Sequence, residues 1–346
     1  MKRLPVFYAV LSAVCYGISV PAAKILLNGM PPVLMASLLY LGAGTGMSVI
    51  TFFRRKQMRE KEARITKREL PFAALMVALD IAAPILLMIG LTLTNPATAS
   101  LLGNFEIVAT ATIALIIFRE AVGKRMWLAV TLITAASVIL SVEDFGNLKL
   151  SLGAIFILMG CVCWGLENNC TRMLSLKDPM QIVIIKGIGS GIGSLLIAFF
   201  IGGVLTNIFY IFFTLLLGFV AYGLSIYLYI LAQRSLGAAR TSAFYAVAPF
   251  VGVGLSFVVF RETPGISFLI AFAVMTAGAY LAAFERHDHI HSHELLEHEH
   301  RHSHSDGHHN HLHEPPVTGE HSHAHIHDPF THSHKHTPDL HHTHSH

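Results

Sequence analysis

Long apolar stretches separated by short polar connections run from residue 4 to residue 284. A helix that crosses a bilayer needs about 20 predominantly apolar residues. The pattern predicts ten transmembrane helices, called spans one to ten here, at 4–28, 32–53, 70–92, 96–118, 125–142, 151–171, 179–202, 206–231, 239–260 and 265–284. The connections are short except for residues 54–68, which carry eight Lys or Arg.

The composition supports a protein built for lipid. The chain has 346 residues, of which 53% are hydrophobic and 13% charged, whereas soluble domains average about 25% charged residues. We therefore expect an all-α integral membrane protein whose partners are the lipid bilayer and a small-molecule substrate. No phosphate-binding loop, catalytic triad or basic soluble domain is recognisable, so neither an enzyme nor a nucleic-acid partner is predicted. The oligomeric state is left open.

Positive charge predicts the orientation of the spans. With the N-terminus in the cytoplasm, the inside segments hold seventeen Lys or Arg and the outside connections hold only Lys149 and Arg261. Cytoplasmic loops carry the excess of these residues in membrane proteins. Both termini are therefore expected in the cytoplasm, and the protein in the plasma (or inner) membrane.

The chain also repeats itself. The tripeptide CYG at Cys15 recurs as CWG at Cys163, an offset of 148 residues, and FRE at Phe118 recurs at Phe260, an offset of 142. We predict two five-helix repeats, at 4–142 and 151–285. Because five is an odd number, the second copy must enter the membrane from the opposite side, which is the inverted-repeat plan of secondary transporters.

These features resemble the EamA-type transporters of the drug/metabolite transporter superfamily. The resemblance rests on the ten-span plan, the YG and WG openings of the two halves and the FRE ends. It implies export or exchange of small organic solutes without a required cofactor. Members commonly carry a proline in spans four and nine; Pro249 fits this position, and its counterpart is Ile107, preceded by Glu106.

Ionisable residues at membrane depth are candidates for function, because a charge at the centre of a span costs about 2.5–3.5 kcal/mol on insertion scales. Asp80 and Glu106 lie near the middle of their spans, and Glu167 and Lys186 lie within two turns of a cytoplasmic end. The hypothesis is that Glu106, assisted by Asp80 and Lys186, exchanges a proton for the solute. A direct ion pair with a substrate amine is the alternative use of this acid.

Other residues have supporting roles in this hypothesis. The predicted lining of the substrate path includes Asn104, Asn168, Trp164 and Tyr245. Residues at the ends of spans four and nine are predicted to anchor the helices or form gate ion pairs: Arg119, Glu120, Arg261 and Glu262.

A polar tail, residues 287–346, contains all 23 histidines of the chain and four prolines. With almost no apolar residues it is expected to be disordered. Neutral imidazoles bind Zn, Ni and Co, so metal binding is predicted. The candidate ligands are His298, His300, His302, His304, His308, His309, His311 and His313.

The tail leaves the functional assignment with alternatives. The favoured prediction is a proton-coupled exporter of an amino acid, metabolite or drug, with the tail as a metal sensor or buffer. A divalent Ni, Co or Zn exporter is the second possibility, and a non-transporting metal sensor is the third. The absence of histidine before His287 argues against a metal path through the membrane.

Overall fold

The computed structural model is a bundle of apolar helices. It describes residues 3–54, 66–67, 69–118, 123–144, 149–174, 177–203, 206–236, 241, 244–261, 263–283, 287–292, 296–302, 321–327 and 331–336. Spans one to five consist of the helices Arg3–Gly17 and Ser19–Leu26, Pro32–Arg54, Leu70–Leu93, Pro96–Leu102 and Phe105–Phe118, and Lys124–Ser141. Spans six to ten consist of Leu152–Leu174, Pro179–Phe200, Ile208–Gly218 with Phe219–Leu224 and Ser225–Leu236, Ala248–Phe260, and Ile266–Ala283.

Nine of the described spans are long and apolar enough to cross a bilayer. The exception is span nine, where the prediction of one helix over 239–260 is wrong in its detail. Residues 244–245 are helical, a turn follows at 246–247, and the apolar helix Ala248–Phe260 then begins. Pro249 explains the new start, because proline lacks an amide hydrogen and suits the first turn of a helix.

Span four is interrupted as well. Gly103 and Asn104 form a turn between its two helices, closed by short-range bonds such as Asn104 N–H to the Leu101 carbonyl at 3.2 Å. At the offset of 142, residues 103–104 correspond to 245–246, which overlap the turn at 246–247 in span nine. The two repeats are therefore broken at equivalent depths, although only the second has a proline there.

Corresponding helices of the two repeats run in opposite directions. In spans two and seven, Leu41 lies against Gly191 while Gly44 lies against Gly187, so residue numbers rise along one helix as they fall along the other. The packing of the helices has the symmetry of the repeat. Span three packs on span six, and their counterparts, spans eight and one, also pack on each other. Each of spans two, four and five packs on its own counterpart, which is span seven, nine or ten. Antiparallel counterparts and symmetric packing are what two inverted copies of one unit require.

Glycine makes the seam between spans two and seven possible. A Cβ atom on Gly187 would lie 2.3 Å from the Gly44 amide nitrogen, and one on Gly44 would lie 2.6 Å from that of Ile188. Small residues allow helix backbones to approach this closely in membranes. Gly44 and Gly187 therefore bring a helix of each repeat into backbone contact.

Strands occur outside the helical body. Val142–Asp144 pairs with Lys149–Leu150 between the two repeats. In the tail, His287–Ser292 pairs with Thr331–His336, and Leu296–His302 pairs with His321–His327. Alternating His-x-His has the two-residue period of a strand, but an isolated pair of strands is only marginally stable in water. The disorder of the tail stays a prediction.

Candidate substrate and coupling site

An ion-paired cluster, called the charged wall here, lies where spans three, six and seven meet. Lys186 Nζ is 3.3 Å from Asp80 Oδ2 and 2.8 Å from Glu167 Oε1. The side chains of Asp80 and Glu167 are 0% and 2% exposed, and that of Lys186 is 12% exposed. Burying a charge is costly unless it is paired, so the ammonium group and the two carboxyl groups depend on one another.

Neighbouring polar groups complete the charged wall. The Tyr40 hydroxyl, from span two, donates a hydrogen bond of 2.8 Å to Asp80 Oδ1. Trp164 Nε1 in turn donates to the Tyr40 hydroxyl at 3.4 Å. Thr171 donates to Glu167 one helical turn away. Both acids thus have hydrogen-bond donors besides the lysine, which fixes their orientation.

Glu106 lies beside this cluster, in the first turn of the helix Phe105–Phe118. Asn168 Nδ2 donates to Glu106 Oε1 at 2.7 Å and to Thr110 Oγ1 at 3.3 Å. The carboxyl group is close enough to Glu167 and Lys186 to interact with both electrostatically. The break in span four thus places an acid at a helix N-terminus, where the helix dipole favours negative charge.

The remaining predicted lining residues have different surroundings. Asn104 is buried and donates Nδ2 to the Leu101 carbonyl at 3.2 Å, so its amide closes the turn in span four. Its Oδ1 has no hydrogen-bond partner among the described residues. The Tyr245 ring lies 5.0 Å from that of Tyr229 and 5.7 Å from that of Tyr16, between centroids.

Of the four predicted gate residues, the structure describes only Arg261. Arg261 is exposed at the end of span nine and adopts a left-handed conformation with φ of 53°, as residues that end helices often do. Arg119, Glu120 and Glu262 lie outside the described residues. The gate ion pairs therefore stay predictions.

Sequence reasoning missed Tyr40 and Tyr16. A tyrosine at membrane depth needs a partner for its hydroxyl, and this signal was available for Tyr40 in the otherwise apolar span two. Tyr16 is the repeat counterpart of Trp164 at the offset of 148 residues, so the repeat itself pointed to it. Neither signal identifies the partner, which lies on another helix.

Polar contacts also tie the ends of the spans. Lys24 Nζ donates to the Leu91 and Thr94 carbonyls at 2.5 and 2.8 Å, at the C-terminal end of span three, where a cation suits the dipole. At the opposite end of span three, Lys177 Nζ is 3.2 Å from Glu69 Oε1. Burial alone would raise the pKa of Glu69, but bonds from Thr66 and Lys177 outweigh it and lower that pKa below its ordinary value.

A pocket beside the charged wall gives Lys186 a neighbouring space. It lies among spans two, seven and eight and is lined by Tyr40, Ala43, Val183, Lys186, Gly187, Tyr222 and Ile226. Within the described parts of the chain, no three His, Cys, Asp or Glu side chains are grouped as metal ligands. The position between Asp80 and Glu167, where a cation would sit, is filled by the Lys186 ammonium group.

Two antiparallel five-helix copies with charged residues at their contact are typical of membrane transporters. Comparison with protein families agrees: the EamA-like transporter family matches residues 3–142 and 151–284. The chain belongs to this family and is a multi-pass membrane transporter.

Individual relatives are consistent with this assignment. An uncharacterized transporter of Methanothermobacter thermautotrophicus is 28% identical over 302 residues, which cover 81% of this chain and 87% of that protein. The uncharacterized transporter YyaM of Bacillus subtilis is 26% identical over 215 residues, or 57% and 67% of the two chains. A protein of known crystal structure superposes with a TM-score of 0.57 at 16% identity, covering 81% of this chain and 95% of its own, and supports the fold alone.

Proposed function

We propose that this protein is a secondary transporter that exports a small organic solute in exchange for protons, with both termini in the cytoplasm. The observation that carries the proposal is an imbalance of buried charge. Asp80, Glu106 and Glu167 gather around one ammonium group, that of Lys186. Three ionised carboxylates with a single cation would be costly at membrane depth, so the site favours taking up a proton or another cation.

Glu106 is the coupling residue in this proposal. Asp80 and Glu167 already share Lys186, whereas Glu106 makes no ion pair among the described residues and is only partly buried. A proton and the solute can therefore compete for its carboxyl group as the site faces each side of the membrane in turn. The titratable neighbours that modulate this competition are Glu167, Lys186, Tyr16, Tyr222, Tyr245 and Cys161.

Inside-out vesicles with an acidic interior test the coupling. Addition of an exported solute should release interior protons and relieve the quenching of a pH-sensitive dye, and Glu106→Gln should abolish the response without reducing the amount of protein in the membrane. Glu69→Gln removes an acid outside the spans and is the matched control. A wild-type response from Glu106→Gln would overturn the role of Glu106. If the wild type responds to no solute in a panel of amines, amino acids and drugs, proton exchange itself is refuted.

We further propose that the tail binds Zn, Ni or Co without forming part of the transport path. Three of its candidate ligands, His298, His300 and His302, lie on a strand whose register pairs them with His325, His323 and His321. Deletion of 287–346 should remove metal binding and leave export of the organic solute unchanged. Loss of all transport on deletion would instead favour the metal exporter or the sensor.

A further inference from the structure

The repeat divides the surroundings of the site into two unlike walls. Asp80 of the charged wall corresponds to Tyr222 at the offset of 142 residues, and Gly103 corresponds to Tyr245. Both helices are irregular at this depth. Asp80 lies four residues before Pro84, which cannot donate the usual helical bond to the Asp80 carbonyl, while Tyr222 lies in the π-helix Phe219–Leu224. Equivalent positions in the two copies thus carry an acid on one side and a phenol on the other.

The phenol rings form a continuous row of contacts, called the tyrosine wall here. Ring centroids are 5.5 Å apart for Tyr40 and Tyr222, 5.8 Å for Tyr222 and Tyr16, and 5.7 Å for Tyr16 and Tyr245. Tyr40 touches both walls, because its ring joins this row while its hydroxyl donates to Asp80. The rings belong to helices of both repeats.

Glu106 lies within electrostatic range of the tyrosine wall. Its carboxyl group interacts electrostatically with the hydroxyls of Tyr16, Tyr222 and Tyr245. Its hydrogen bond from Asn168 is to a neutral amide, and Lys186 is held by Asp80 and Glu167. Among the described residues, therefore, no cation forms an ion pair with Glu106, and three tyrosines lie within electrostatic range of it.

We propose that the substrate of this transporter is an organic cation, whose ammonium group binds Glu106 and whose apolar part lies on Tyr16, Tyr222 and Tyr245. Aromatic rings bury apolar groups favourably. They also attract a nearby cation through the negative charge of their faces, and more strongly where water is excluded. A carboxylate substrate would face three acids and find Lys186 already paired. This inference rests on the proposed function and names the substrate class for the same site.

Binding can be measured without transport, since the chain has only two tryptophans. Trp127 is 47% exposed on span five, whereas Trp164 is 8% exposed and touches Tyr40. Trp127→Phe therefore leaves Trp164, beside the site, as the single tryptophan of the chain. In this background, in detergent, the probes are benzyltrimethylammonium, the zwitterion phenylalanine and the anion 3-phenylpropionate, which share a phenyl group and differ in charge.

We expect a saturable change in Trp164 fluorescence with benzyltrimethylammonium, and at least ten-fold weaker binding in Glu106→Gln. Glu69→Gln should bind as the parent does. If Glu106→Gln fails to fold, Tyr16→Phe and Tyr16→Leu provide the second comparison: the phenyl ring should retain most of the affinity and leucine should lose it. Undiminished binding by Glu106→Gln, or tighter binding of phenylalanine or phenylpropionate than of the ammonium probe, would overturn the proposal.

The two proposals fail in different ways. An ammonium probe that binds through Glu106 but moves no protons in vesicles leaves the substrate class standing and refutes proton exchange. A zwitterion or anion that drives proton movement while the ammonium probe does not bind refutes the organic cation and leaves proton exchange standing.

Discussion

The charged wall lies on spans three, six and seven, and the tyrosine wall on their repeat counterparts, spans eight, one and two, together with span nine. Different forces stabilise the two walls. The charged wall consists of an ammonium group between two nearly inaccessible carboxyl groups. Removal of the ammonium group would leave two buried carboxylates without a cation. The tyrosine wall consists of ring contacts at 5.5–5.8 Å, and an aromatic pair typically contributes about 0.5–1.5 kcal/mol. An inverted repeat thus provides the same helix scaffold twice, with ion pairs at one place and aromatic contacts at the equivalent place.

Removal of Lys186 is expected to have the largest effect. Lys186→Met leaves Asp80 and Glu167 buried without a cation, which should cost about 3–5 kcal/mol of the free energy of unfolding. Titration with SDS in mild detergent measures this loss. Adding Asp80→Asn and Glu167→Gln removes the uncompensated charge and should restore most of the stability. Wild-type stability of Lys186→Met alone would show that the charged wall is not held by its ion pairs.

The seam that brings Tyr40 and Lys186 together is the next test. Gly187→Ala would place a Cβ atom 2.3 Å from the Gly44 amide nitrogen. We expect a loss of about 1–3 kcal/mol from overpacking, measured in the same unfolding assay. Gly254→Ala is the control, because a Cβ atom there meets nothing within 4 Å among the described residues. Equal free energies of unfolding for the two variants would mean that spans two and seven can move apart at no cost in stability.

Tyr222 tests the opposite wall at the position that corresponds to Asp80. Tyr222→Phe keeps the ring contacts and removes the hydroxyl with its hydrogen bond to the Ser19 side chain. Stability should therefore fall by about 0.5–1.5 kcal/mol, the net value of a typical hydrogen bond. Asp80→Ala should cost more, because it leaves Lys186 with a single carboxyl partner and removes the acceptor of the Tyr40 bond. If Tyr222→Phe proves the more damaging of the two, the division into a charged and an aromatic wall is wrong.

The smallest effect is expected at Glu69, whose ion pair with Lys177 lies outside the spans. Because hydrogen bonds and Lys177 hold its pKa below the ordinary value, the ionised carboxylate stabilises the folded protein above the unfolded-state pKa of about 4.3. The contribution is lost as the pH falls through the lower folded-state pKa. Glu69→Gln should therefore lower the free energy of unfolding by less than about 1 kcal/mol at neutral pH. In acid below the folded-state pKa of Glu69 it should not change the free energy of unfolding. An equal loss at both pH values would exclude the ion pair as its cause.

Much of the site was within reach of sequence reasoning, but its pairing was not. Depth in a span singled out Asp80, Glu106, Glu167 and Lys186, because the cost of a charge in lipid depends on position along the helix. The hypothesis joined Glu106 to Asp80 and Lys186. In the structure, Lys186 forms ion pairs with Asp80 and Glu167, and Glu106 accepts a hydrogen bond from Asn168. The assistance of Asp80 and Lys186 to Glu106 stays a hypothesis. Lys186 and Asp80 are 106 residues apart in the chain, so no local pattern records that they meet.

The sequence by itself determined the spans and their duplication. In a bilayer every backbone polar group must be satisfied within its own helix, so runs of apolar residues translate directly into helices, and an odd number of them inverts the second copy. Tertiary structure alone decided that span four breaks at Gly103 and Asn104 and that Gly44 contacts Gly187. It also decided that the charged wall adjoins the tyrosine wall. These features depend on which helix faces overlap, and that is set by packing between segments far apart in the chain.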